Sequence, residues 1–553
     1  MTRSRSASAS PRPPRSRHAS RSRSRLNIGS RVTTRPTIRA ANGLVASGHH
    51  LATAAGLAAL REGGNAIDAA VAAAAVCAVV MPHRTSFGGD IFALVYDARS
   101  REVDAYNGSG AAPRSIDVER FGDAFPQQGA ILATVPGLIA GLADLMHDHG
   151  RLGLERALEA AIAYAEAGFP VSDRLAAAIA EEGDRLADDE EAAHLFGPRG
   201  RWPRAGEMLQ QPDLAVSLRE ISREGADAFY RGDLGERFAT AVDAIGGAID
   251  RTDLAAHHTD RPEPLAIDFG GFRVFGQPPV SQGHILIEEL AIASGLDLTS
   301  LEWGSADLVH LMVETKKLAF ADRDAHAGDP AFVEFDGRRL LDPEFIAGRR
   351  RAVNAKASER SEAGALMTPA DTTYLAVVDR DGNAVSLIQS VFSAFGAAAV
   401  VPGTGLLLNN RVTGFSLDQR SPNALVPRKR PVHTLNTVIA LDGSSPRFVF
   451  GTPGRQAQVQ TNFQLGVALM SFGMDVQRAI EEPRWYHDSG RTLRMERRFP
   501  EAVRRALAGK GHEVVLLDDW DELTGGAQAI AIEPNGAFAG GADPRREGYA
   551  AGY

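Results

Sequence analysis

The 553-residue sequence predicts an α+β protein built in layers. Three observations carry this reading. Strand-like segments come in pairs toward both ends of the chain, mainly helical patterns are grouped between them, and no internal repeat is visible. The composition, 44% hydrophobic and 23% charged, is that of a soluble globular protein long enough to bury a large core, in several domains or one layered body. The 56 glycines and abundant alanines call for tight helix contacts and many turns.

The elements follow in order. Residues 1–31, beginning "MTRSRSASASPRPPRSRHAS", are Arg/Ser/Pro low-complexity sequence and are expected to be a disordered tail. The tail lacks the apolar core of a secretory signal. A transit peptide, a plain charged tail and a mis-assigned start codon all fit it. Residues 44–81 read as two helices. One, near Thr53–Glu62, stops at Gly63-Gly64, and the next is capped by Asn65 and is apolar on all sides, so it belongs in the core. At under 18 residues it is too short to span a membrane, and a cytoplasmic protein is expected. "FGGDIFALVYD" and "EVDAYNGSG" form a strand hairpin around Arg99–Glu102. Helical patterns run from Leu132 to about Arg237, and strands return at "RVFGQPPV". Ser305 caps a helix whose Leu308, Leu311, Met312, Thr315, Leu318 and Ala319 lie on one stripe. After a loose connector come strands from Thr372, "PRFVFGTPG", a helix near Gln464–Phe472, and terminal strands such as "AQAIAIE".

Net charge is −9, and outside the first forty residues no basic face suggests nucleic acid as a partner. The single cysteine, Cys77, lies in "AAVAAAAVCAVVM"; it rules out a disulfide within the chain and reads as a buried, inert thiol. His49-His50 and His257-His258 are adjacent pairs without metal-ligand spacing, and nucleotide-binding glycine motifs are absent.

Four stretches could carry chemistry, each with a plainer structural reading. "NAKASERSEAGALMTPA" is small and polar and ends at "DTTYLAVVD". A threonine hydroxyl needs a neighbouring base to attack an amide. Cutting between Asp371 and Thr372 would give Thr372 a free α-amine, whose ordinary pKa near ~7.7–8 lets it act as that base. The plainer reading is that threonine suits strands. In "VFGTPGRQAQ", Gly451 and Gly454 flank a turn whose N–H groups suit an oxyanion, or form a simple Gly-Pro turn. In "RPVHTLN", His433 and Thr434 are candidates for catalysis or for hydrogen-bonded struts. In "PGTGLLLNNRVTGFSLD", Arg411 could hold a carboxylate or sit on the surface.

Taken together in chain order, "GLVASGHHLATAAGLAALREGGNAIDAAVAAAAV", "FGGDIFALVYD", "ATVPGLIAGL", "QPPVSQGHILI", "ETKKLAFADRDAHAGDP", "DTTYLAVVDRDGNAVS", "LLLNNRVTGFSLD", "KRPVHTLNTVIA" and "ADPRREGYAAGY" resemble the γ-glutamyltransferase family of N-terminal nucleophile hydrolases, from about Thr37 to Tyr553. The resemblance implies a four-layer αββα sandwich, made as a precursor that cleaves itself before Thr372. The large piece would be residues 32–371 and the small, catalytic piece 372–553, both in one body. It implies that Thr373 bonds to the nucleophile and that Gly454 and Arg455 supply oxyanion N–H groups. It implies no cofactor; the partners would be a small amide substrate and the two fragments themselves, with a dimer of the processed unit possible.

The sequence departs from the γ-glutamyl enzymes where these hold the substrate's α-carboxylate and α-amine. An expected arginine is replaced near Ser109, an expected threonine and asparagine read Ser390 and Phe392, and an expected acid is Gly414. Arg411 follows the "LNN" pair, a serine pair is His433-Thr434, and the second oxyanion glycine is Arg455. Loss of an acid and gain of Arg411 favour a substrate with a carboxylate and no free α-amine. "LNNR…FSLD" and "RPVHTLN" resemble the branch with oxamate amidohydrolase-like and cephalosporin acylase-like members. Three readings stand beside one another: an amidohydrolase for carboxylate-bearing amides, a genuine γ-glutamyl transpeptidase or glutathione hydrolase, and an inactive relative that binds without turnover.

Overall fold

Side-chain alternation along the strands sets the architecture. The computed structural model describes Thr2 and residues 33–359 and 370–553. The expected tail and most of the connector before Thr372 therefore lie outside the described residues. In the strand Ala370–Asp379, Tyr374, Ala376 and Val378 pack to one side, while Leu375 and Val377 pack to the other. Both faces are buried, so the strand reads as an unbroken apolar run.

This strand lies inside a six-stranded antiparallel sheet. The order is Tyr549–Gly552, Gly43–Ser47, Ala370–Asp379, Ala384–Ser393, Asp90–Asp97 and Glu102–Gly108. A seven-stranded antiparallel sheet stacks on it, in the order Ile38–Ala40, Phe538–Ala542, Gln528–Ile532, Ser445–Gly451, Val438–Asp442, Phe272–Gly276 and Leu265–Phe269. Leu44, Phe92, Tyr374, Ile439, Val449 and Ile530 fill the layer between the sheets. Helices cover both outer faces, giving the αββα arrangement.

Strands from before and after Thr372 interleave. The pair Ala370–Asp379 and Ala384–Ser393 sits between Gly43–Ser47 and Asp90–Asp97. A break ahead of Thr372 would thus leave each piece hydrogen-bonded into the other's sheet.

The helices mostly follow the sequence pattern. Ala66–Val80 is buried along its whole length, and Asn65 with Asp68 forms a reciprocal cap at its start. The preceding helix, His50–Arg61, starts three residues earlier than expected because the His49 side chain caps it, accepting from Leu51 N. Ser305 caps Ala306–His326 as expected. The expected helix near 464–472 instead spans Ala457–Gly466 and runs on into a π turn, Val467–Ser471. Its first half hid from the apolar period because Gln460, Thr461 and Gln464 are buried and bonded to the carbonyls of His487, Thr524 and Trp485.

Candidate active site

Three strands in register build a row of polar side chains across the six-stranded sheet. Thr372 faces Ser390, and Ser390 faces Asp90. Residues opposed in this way hold their Cβ atoms roughly 4.5–5.5 Å apart on one face. The Thr372 hydroxyl donates to Ser390 Oγ at 3.2 Å. Ser390, a candidate substrate contact, is thus the hydroxyl neighbour of Thr372.

Thr373 does not take that place. Strand alternation turns it to the opposite face, toward the helix layer, beside the Cys77 thiol and over Gly48. A Cβ on Gly48 would come within 2.2 Å of Thr373 Oγ1, so only glycine allows the approach. Burial pushes the Cys77 thiol up to about 12, as an inert thiol requires.

Beyond Ser390 the register slips by one residue, and Phe392 opposes Asp371. Phe392 has φ +82°, in the left-handed half of the map. Its N–H donates to Ser390 Oγ at 2.8 Å, and its ring lies 4.5 Å from the centre of the Arg411 guanidinium. The "NN" pair fixes the loop that carries Arg411. Asn410 bonds both the N–H and the hydroxyl of Ser393, while Asn409 holds Thr134, Gly88 and the Arg411 N–H.

Arg411 is fully buried, and its Nε donates to Asp90 Oδ2 at 3.1 Å. The other Asp90 oxygen accepts the Gly110 N–H at 2.9 Å. Burial pushes the Asp90 carboxyl up and the Arg411 guanidinium down, and each stabilises the other's charge. Among the described residues, both Nη atoms of Arg411 lack a hydrogen-bond partner. His433 is near Arg411, and both its ring nitrogens are likewise unpartnered. Burial, then Arg411 and Arg430, hold its imidazole well below the usual value, so it is neutral at pH 7. Thr434 is buried next to it. Ser109 lies beside Gly110, its hydroxyl spent on Asn107 Oδ1 at 2.6 Å.

The turn expected to bind an oxyanion follows the strand Ser445–Gly451. Gly451 lies against the ring of Tyr374, two residues from Thr372 on the same strand face. Thr452 Oγ1 accepts the Gly526 N–H at 2.9 Å and ties the turn to its neighbour. Gly454 has φ +131° and abuts Gly525, while Arg455 adopts φ +55°, a conformation that favours glycine.

One cluster of metal-ligand types does form among the described residues, joining an i, i+4 pair on the helix Ala306–His326 to a distant histidine. His310, Glu314 and His512 bring ligand atoms within 4.8 Å of one another. His310 Nδ1 and His512 Nε2 are 2.9 Å apart, but the Lys317 ammonium sits 2.9 Å from Glu314 Oε1. A cation therefore already neutralises the carboxylate. Asp90 is the residue that sequence reasoning missed; an aspartate opening the apolar run "DIFALVYD" was its signal, because acids are depleted in strands.

The family model for gamma-glutamyltranspeptidase matches residues 52–553. The glutathione hydrolase-like YwrD proenzyme of Bacillus subtilis (strain 168) is 39% identical over 521 residues, covering 92% of this chain and 98% of that one. The oxamate amidohydrolase proenzyme of Klebsiella pneumoniae is 37% identical over 525 residues, covering 93% and 98%. Among solved structures, cephalosporin acylase from Bacillus halodurans superposes with a TM-score of 0.89 at 35% identity, covering 95% of this chain and 98% of its own.

Proposed function

The chain belongs to the gamma-glutamyltranspeptidase family, and we propose that it is a self-processing amidohydrolase that uses Thr372 on small, carboxylate-bearing amides. In the first step the Thr372 hydroxyl adds to the Asp371 carbonyl carbon and the C–N bond breaks, leaving an ester and a free Thr372 amine. Water cleaves the ester, giving a new carboxylate at Asp371. In the unbroken chain Ala370 and Asp371 pair with Ser393 and Phe392; scission releases them from the edge of the site. The Thr372 amine then takes the proton of its own hydroxyl, which attacks the substrate amide. The amine leaving group departs with a proton, and water releases the acyl group as an acid.

The observation that carries this reading is the Thr372–Ser390 hydroxyl pair, one register position from an Asp90-held arginine with two unpartnered Nη atoms. A planar guanidinium with both Nη open matches a carboxylate. The acid that would face a substrate ammonium is absent, since Gly414 stands there. The two fragments remain one body, a carboxylated amide is the small-molecule partner, and oxamate- and cephalosporin-type amides are named by the relatives themselves.

Mass spectrometry of the purified protein is expected to find a fragment starting at Thr372, and Thr372→Ala is expected to run as one full-length band. Glutaryl-p-nitroanilide and γ-glutamyl-p-nitroanilide differ in the α-amine alone, and the glutaryl compound is expected to be cleaved faster. A break elsewhere removes the nucleophile assignment; a preference for the γ-glutamyl compound restores the transpeptidase reading.

A further inference from the structure

Phe392 touches both halves of the site at once, and its backbone conformation is one that phenylalanine rarely adopts. Strand Ala384–Ser393 pairs regularly up to Ser390↔Thr372, then carries an extra residue, Val391, across from the Asp371–Thr372 bond. Val391 turns out of the ladder: its N–H goes to Arg84 O and its carbonyl accepts Asn410 N–H, each at 3.2 Å. The bulge leaves Phe392 at φ +82°, which costs an L side chain energy and is held by its surroundings. That conformation has two consequences. The Phe392 N–H points back to Ser390 Oγ at 2.8 Å, the same oxygen that receives the Thr372 hydroxyl. The ring projects to the guanidinium of Arg411, 4.5 Å away.

We propose that Phe392 is a positioning residue that ties substrate recognition to the nucleophile: its amide fixes the Ser390–Thr372 hydroxyl pair, and its ring is the shelf on which Arg411 presents its open Nη atoms to the substrate carboxylate. Both halves rest on the function proposed above, the first on its scission ahead of Thr372 and the second on its substrate class. A buried cation–π contact replaces a hydrogen-bonding partner that would have consumed an Nη donor. The ring thus holds the arginine while leaving its planar edge to the ligand. An asparagine or threonine at this position could bond the guanidinium or the substrate directly; phenylalanine can do neither.

The two jobs separate by substitution. Phe392→Leu keeps the β-carbon and the strained backbone but removes the aromatic face. Phe392→Gly removes the ring and lets the backbone relax. Phe392→Tyr keeps the ring. Self-scission, followed in a cell-free translation time course on a gel, needs no substrate and reads the amide alone. Steady-state hydrolysis of glutaryl-p-nitroanilide, beside butyryl-p-nitroanilide without a carboxylate, reads the ring.

Phe392→Leu is expected to cleave itself at the parental rate while KM for the glutaryl compound rises about tenfold. Its kcat, and its rates on the butyryl compound, should stay near the parent's. Phe392→Gly is expected to show the same KM rise and self-scission slowed about tenfold or more, and Phe392→Tyr restores both. Thermal melting separates slow scission from unfolding, since glycine at a positive φ relieves backbone strain. An unchanged KM in Phe392→Leu overturns the shelf, and parental scission in Phe392→Gly overturns the amide. If the parent cleaves itself but hydrolyses neither anilide, the proposed substrate class fails, and the scission arm still decides the amide.

Discussion

Arg411 and Arg545 are both fully buried beside carboxylates, yet they are bonded in opposite ways. Arg545 spends every donor. Nε and Nη2 grip both oxygens of Glu496 at 2.6 and 2.9 Å, Nη1 reaches Ile480 O and Asp543, and Nη2 also reaches Glu482 O. Arg411 spends one, on Asp90, and keeps two Nη groups with no partner. A buried donor left unpaired costs about 1–3 kcal/mol, and a substrate carboxylate on Arg411, as proposed above, would relieve that cost. The proposed function thus makes Arg545 a scaffold residue and Arg411 a substrate-binding one, a division that substitutions can test.

The first prediction tests the scaffold half, where the largest effect is expected. Arg545→Met strands Glu496 and Asp543 as buried charges, with Arg484 and Arg498 as their remaining cations. Removing one partner of a buried ionic network typically costs about 3–5 kcal/mol. Chemical denaturation of the mature protein should show that loss, while KM for glutaryl-p-nitroanilide in the folded fraction should stay unchanged. A raised KM with intact stability would reverse the roles given to the two arginines.

Much of this contrast could not be read from the sequence, for physical reasons. Alternation and turn residues locate strands, because a strand's period is local. The pairing of Thr372 with Ser390 depends on register, and that of Ser390 with Asp90 joins segments far apart in the chain. Thr373 and Thr372 look equivalent in "DTTYL", and only the sheet decides which faces the nucleophile's layer and which faces Cys77. Arg545 lies in "ADPRREGY", where nothing local says that Glu496 awaits it. Lys316 and Lys317 lie in "ETKKLAF", where nothing local shows that both are buried. Asn65 and Ser305, whose signals are cap geometry, were legible.

The second prediction tests the chemical half. Arg411→Lys keeps a positive charge beside Asp90, so the carboxylate is not orphaned, but it loses the planar fork. The loss of a charged hydrogen bond to substrate is worth about 1.5–3 kcal/mol, roughly 10- to 150-fold in KM. Stability should change little. Comparison with butyryl-p-nitroanilide sharpens the point: the penalty should appear with the carboxylated substrate and vanish without it. Equal penalties on both would make Arg411 a second scaffold arginine.

The smallest effect is expected from His433, the other unpartnered group beside Arg411. Its folded pKa lies well below 6.5, because burial and then Arg411 and Arg430 oppose its protonation. Lowering the pH from 8 to 6 therefore leaves it neutral, and it cannot supply the acid limb of the rate profile. The new α-amine of Thr372 can: it must be unprotonated to act as base, so kcat/KM should fall as pH drops through roughly 7.7–8. His433→Gln should lower kcat/KM through lost contact but leave that midpoint in place. A midpoint that moves by a full pH unit in this variant would make His433 the titrating base and would strip the α-amine of the role that self-scission creates for it.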